Sequence, residues 1–242
     1  MFWKKIYKLP ITQEDKEWID NDLAWLRAEL GEEHFLGIKT ITPTRYFYDR
    51  TWDGTEEDAH FILARTMELM DVEGSDVKLE FYTDSPIEMQ DGGILSSPAD
   101  ITGKWTSAAG TYEQNEKEKI ISIETSQLKN TISLISTIAH EVAHIILLGE
   151  NRIEENDEFL TDLTAITYGF GIFLGNSRFN YANNNSGWSM NSQGYLPEQI
   201  ISYAMAWLSY QRNENTAYDK FLSDSMKKYF TKSIEYLNNL EK

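Results

Sequence analysis

With 41% hydrophobic and 13% aromatic side chains, the 242-residue chain has ample material for a sizeable core. Its 22 Lys and Arg against 39 Asp and Glu give a net charge of −17, which repels phosphate backbones and anionic lipid, so neither nucleic acid nor membrane is expected as a partner. Cysteine is absent, which excludes disulfides, a thiol nucleophile and a Cys-based zinc ribbon, and any metal has to be held by His and carboxylate.

The first ten residues carry Lys4, Lys5 and Lys8 but lack the apolar core and small-residue cleavage site of a secretory signal. No apolar run nears the roughly 20 residues of a membrane helix, and the chain is expected to be cytoplasmic. Apolar residues at helical spacing (Trp18, Ile19, Leu23, Leu26, Leu30) predict an amphipathic helix over Thr12 to Leu30, stopped by Gly31. Thr55-Glu-Glu-Asp has the form of a capping box and opens a second helix with Phe61, Ile62, Met67 and Met70 on its apolar face. Val77, Leu79 and Phe81 alternate with polar neighbours as in a half-buried strand. Asp53 to Asp91 holds twelve carboxylates against Arg65 and Lys78, which reads as a solvated acidic face.

After the loop signals Asp91-Gly-Gly and Ser96-Ser-Pro, Ala109 to Tyr112 and Ile120 to Ile123 predict a hairpin. A strongly apolar helix follows, with Asn130 as N-cap and Gly149 as its stop. A further helix is expected from about Glu155 to Leu174, where Gly169 and Gly171 call for a reason such as close helix packing. Gly175 to Gly194 reads as a mobile polar loop, and two last helices are expected over Glu198 to Gln211 and Tyr218 to Leu240. Residues 1–104 match no motif. Residues 105–242 hold the chemistry, and the two regions are expected to form one continuous domain.

That chemistry is His140-Glu141-Val142-Ala143-His144, a complete H-E-x-x-H inside the apolar helix. Residues i and i+4 share a helix face, so both imidazoles can address one ion, and Glu141 beside them can reach water on that ion. Neither remaining histidine, His34 or His60, lies downstream, and positions 147 and 150 are Leu and Glu, which excludes a three-histidine metzincin pattern. The third ligand is therefore sought among Glu150, Glu154, Glu155, Asp157, Glu158 and Asp162. Helical spacing favours Glu158 and Asp162, which stand i and i+4 on one face that continues through Ala165 and Gly169. One of the pair can bind metal while the other accepts the outer N–H of a ligand histidine.

His140-Glu-Val-Ala-His144 followed by Glu158-x-x-x-Asp162 resembles the gluzincin metallopeptidases, most closely their M48-like or minimal members, over about residues 105–176. The resemblance implies His140, His144 and Glu158 as zinc ligands, Glu141 as general base and Asp162 as the partner that orients a histidine. It implies metal-assisted hydrolysis of a peptide or protein substrate, with Ile120 to Ile123, or Ala109 to Tyr112 beside it, as the strand against which extended substrate lies. Oxyanion donors are sought among Tyr195, Tyr203, Arg178 and His60, with Tyr195 and Tyr203 preferred because they follow the polar loop. A zincin-fold binding or scaffold protein without turnover is the competing reading. Glu141 argues against it, since a structural metal site needs no base. The expected fold is α+β and zincin-like, a helix-rich single domain with a small twisted sheet flanking the motif helix. The helices Asn130 to Leu148 and Glu155 to Leu174 are expected to lie side by side, with Gly169 and Gly171 at their close approach.

Overall fold

The computed structural model describes residues 7–74, 76–83, 87–88, 94–95, 110–114, 119–184 and 196–240. In chain order it contains α1 (Gln13–Leu30), α2 (Glu32–Gly37), α3 (Glu56–Leu69), β1 (Val77–Tyr82), β2 (Ile87–Glu88), β3 (Ile94–Leu95), β4 (Gly110–Gln114) and β5 (Lys119–Glu124). Then follow α4 (Thr131–His144), α5 (Glu158–Ala165), α6 (Gly171–Asn184), α7 (Glu198–Gln211) and α8 (Asp224–Leu237). The fold is helix-rich with a small sheet. Its described residues cluster in two compact units, one within Trp52–Glu154 and the other from parts of Met1–Thr51, Glu155–Trp188 and Gly194–Lys242.

In the first unit, β5 lies at the centre of a three-stranded sheet, parallel to β1 and antiparallel to β4. Ile121 pairs with Leu79 on one side and with Tyr112 on the other. Burial along β5 has the period of two that a pleated strand requires: Ile121 and Ile123 are fully buried, while Ile120, Ser122 and Glu124 are half-buried. A two-residue ribbon, β2 with β3, stands apart from this sheet and was not anticipated. Helix α3 starts on the expected capping box, with Thr55 accepting from the Asp58 N–H and Asp58 accepting from the Thr55 N–H. It buries Ile62 and Leu63, whereas Phe61 and Met67 remain half-buried.

Helix α4 packs on α3, β4 and β5 and places Leu134, Ile135, Ile138 and Val142 in the core. Its N-cap is Asn130, whose side chain accepts from the Ser133 N–H. Past His144 the helix widens into a π-turn, Ile145–Gly149. Together these 19 residues are long and apolar enough to cross a bilayer, but 78% of their most apolar stretch is buried inside the fold, as in a core helix. Ser, Thr, His and Glu interrupt the run, so no unbroken apolar segment was visible in the sequence.

In the second unit, α1 is capped by Thr12 and buries Ile19, Leu23 and Leu26. The helix expected from Glu155 starts instead at Glu158. Asp157 caps it, its carboxylate accepting from the Phe159 and Leu160 N–H groups, both at 3.0 Å. It does not end at Leu174 either. A π-turn, Ile166–Phe170, leads into α6, so 175–184 of the expected polar loop is helical and the rest of that loop lies outside the described residues.

The glycines also find a different use from the expected one. Gly169 has φ +97°, a Cβ on it would collide with the Lys39 carbonyl, and its own carbonyl accepts from the Ile41 N–H at 2.9 Å. At Gly171 a Cβ would stand 2.7 Å from Met205 Cγ on α7. Both glycines therefore serve contacts to the 39–41 segment and to α7. The last expected helix divides into a 3-10 turn, Thr216–Phe221, and α8, with Ser223 as the α8 N-cap.

A polar network holds this unit together. Arg212, buried at the end of α7, donates to the Phe35 and Thr167 carbonyls and lies 4.6 Å over the Phe35 ring. Burial lowers its pKa to about 10.

Candidate metal centre

Helix α4 is aliphatic for most of its length, yet three polar side chains within one turn are almost wholly buried: His140 at 5% exposure, Glu141 at 4% and His144 at 6%. Burying such groups is unfavourable unless they are paired or bind an ion. The i, i+4 spacing stacks the two imidazoles edge to face, with ring centroids 4.8 Å apart at 86°. Apolar periodicity makes this helix and Asn130 starts it in register, so the histidine pair follows from local sequence alone.

Glu158 is the first residue of α5 and is half-buried, and its Oε1 accepts from Asn156 Nδ2 at 2.8 Å. One ligand atom each from His140, His144 and Glu158 lie within 4.8 Å of one another, a group able to hold a metal ion. Two imidazole nitrogens and one carboxylate oxygen are a donor set that suits zinc and leaves a fourth position open.

Among the other acids considered, Glu150, Glu154, Glu155 and Asp157 are all exposed. Glu150 pairs with Arg152, and Asp157 caps α5 through its Oδ1. Asp162 differs from them in being 1% exposed, and its Oδ2 accepts the Leu196 N–H at 3.0 Å. It thus anchors the start of α7, a task invisible in the sequence because its partner is a backbone group 34 positions away.

The oxyanion-donor candidates fare differently. Tyr203 was expected to return over a cleft, but it is fully buried on α7 and its hydroxyl donates to Asp20 Oδ1 at 2.9 Å. Burial and that carboxylate raise its pKa, so the hydroxyl serves a structural bond. Tyr195 lies outside the described residues. Arg178 falls in α6, with only its backbone described. His60 is exposed on α3 with its ring against Phe81, the centroids 6.0 Å apart.

The strand assignment also changes. Ile120 to Ile123 belongs to β5, the central strand, whose two edges are already paired, so it offers no free edge to an extended substrate. Among the described residues β4 is an edge strand, and it packs against α4.

The sequence reading missed the surroundings of Glu158. Phe159, next to it, is 45% exposed and meets Trp18 of α1 edge to face at 5.8 Å. Trp18 also donates to Asp22, whose carboxyl is raised to about 6 by burial and by the nearby Asp157. The i, i+4 spacing of Trp18 and Asp22 was the available signal. Compared with known protein families, curated proteins and solved structures, the chain matches none.

Proposed function

We propose that this chain is a zinc-dependent peptidase with a zincin-like arrangement around α4. The observation that carries the reading is the convergence of His140, His144 and Glu158 ligand atoms within 4.8 Å, beside a buried Glu141 that a purely structural metal would not require. Zinc bound there would supply Lewis acidity toward a scissile carbonyl and a water acidified toward a pKa of about 7.

The chain's own residues supply the rest. Glu141, one position from His140, takes the proton of the attacking water and returns it to the leaving amine. His140 and His144 are held on one face of a capped helix, so little ligand entropy is lost when the ion binds. Edge strand β4 offers backbone N–H and C=O groups to an extended peptide, the strand-addition mode of recognition.

The test combines metal analysis with hydrolysis. Protein purified without added zinc and then reconstituted is expected to hold about one zinc per chain. It is further expected to cleave a generic unfolded-protein substrate in a chelator-sensitive way, and Glu141→Gln should keep the metal while losing roughly 10²- to 10⁴-fold in kcat. Zinc bound with no cleavage of any peptide by the wild type would favour a non-catalytic binding protein. Absence of stoichiometric zinc would remove the reading.

A further inference from the structure

We propose that Trp18, Asp22, Asp157 and Phe159 form a recognition patch for a basic side chain, Lys or Arg, of the peptide substrate. This deepens the peptidase reading and rests on it, because Asp157 and Phe159 are the chain neighbours of the metal-ligand candidate Glu158.

The starting point is an exposed aromatic surface. Among the described residues only Tyr46, Phe159 and Leu240 are large apolar side chains left exposed, and of these Phe159 alone adjoins a residue of the metal group. Its ring meets that of the half-buried Trp18, forming a two-ring surface on α1 and α5. Aromatic faces carry negative electrostatic potential and attract Lys or Arg within about 6 Å of the ring centroid.

Charge decides the occupant. Asp22 stands one helical turn beyond Trp18 on the same face of α1, and Asp157 Oδ1 accepts the Phe159 N–H at 3.0 Å, so the contact of the two rings brings one carboxylate from each helix to the same surface. The cationic Lys16 on the same helix is engaged by Asp20. An acidic side chain placed here would add a third negative charge, and an apolar one would strip water from two carboxylates without compensating them. An ammonium or guanidinium relieves the repulsion between the acids and stacks on the rings at the same time.

The experiment uses a fluorogenic peptide series differing at one position, Arg, Lys, norleucine or Glu, scanned across the scissile bond with the zinc-loaded protein. At one subsite Arg and Lys should exceed norleucine by about tenfold in kcat/KM and Glu by more, and Asp22→Asn and Phe159→Ala should each bring the Arg-to-norleucine ratio toward one. Cleavage without a basic preference, or a preference untouched by both variants, overturns the patch and leaves the peptidase reading standing.

A binding arm separates the two ideas further. Anisotropy of labelled Arg- and Glu-containing peptides on Glu141→Gln protein should show tighter binding of the Arg peptide, weakened by adding Asp22→Asn. That result without hydrolysis by the wild type keeps the patch and removes the peptidase. Equal binding of the two peptides overturns the patch.

Discussion

Helix α4 and helix α5 each bring ligand candidates to the metal group, and each runs into a π-turn, Ile145–Gly149 in one case and Ile166–Phe170 in the other. They handle polar residues in opposite ways. Helix α4 buries His140, Glu141 and His144 among aliphatic side chains, an arrangement that costs stability unless the groups are used. Helix α5 carries Glu158 in its first turn, where the helix dipole alone would favour an acid and where half-exposure leaves it solvated. The π-turns diverge as well: the first leads out of its helix at Glu150, while the second continues into α6 through Gly169 at positive φ. Buried polar residues in an apolar helix therefore mark a candidate site by themselves. An acid at a helix start does so only through what converges on it.

The sharpest way to break this comparison is to remove one ligand from each helix. His140→Ala and Glu158→Ala are both expected to lower bound zinc from about one equivalent to near zero in metal analysis after dialysis. If Glu158→Ala kept its zinc, α5 would be a bystander and the histidine pair would hold the ion with other partners.

Next in size is the π-turn. Gly169→Ala forces a side chain into the left-handed region and against the Lys39 carbonyl, and is expected to cost about 2 to 4 kcal/mol in urea denaturation. A loss under about 1 kcal/mol would mean that the 39–41 segment yields easily.

If Asp162 orients a ligand histidine, as the resemblance implies, Asp162→Asn is expected to lower zinc affinity roughly 10- to 100-fold. An amide oxygen can still accept the Leu196 N–H, so the loss should appear in metal titration more than in thermal stability. Unchanged affinity would confine Asp162 to anchoring α7.

On α4 the cap sets the smaller scale. Asn130→Ala is expected to cost about 1 kcal/mol, read from the urea midpoint, because the Ser133 N–H loses its acceptor.

The smallest effect concerns pH and the surroundings of α5. Asp22 is raised from 3.8 to about 6, chiefly by burial and then by Asp157, so the folded state binds its proton more tightly than the unfolded state does. Stability from this group is complete below about pH 4 and is lost as pH rises through about 6. Asp22→Asn should therefore melt higher than wild type at pH 7.5 and level with it near pH 4. The side chain is half-exposed, so screening holds the gain to about 1 kcal/mol or less. A melting difference independent of pH would show that the charge of Asp22 is not its source.

Local sequence determined much of this protein. The extents of α1 and α7, the start of α3, the Asn130 cap, the antiparallel β4–β5 pairing and the His140–His144 pair follow from rules that act within a few residues: periodicity, side-chain capping and the i, i+4 geometry of a helix. Helix spacing also ranked Glu158 and Asp162 above the other acids, which proved to be exposed, paired with Arg152 or used as a cap.

Only tertiary structure decided the rest, because in each case the deciding partner is remote in the chain. Gly169 answers to Lys39 and Ile41, Tyr203 to Asp20, Asp162 to Leu196, and Phe159 to Trp18. The central position of β5 likewise depends on a parallel partner more than 35 residues upstream. Hydrogen bonds and side-chain collisions at such separations leave no periodic trace in sequence, since nothing about Tyr203 or Gly169 taken alone says what stands opposite it.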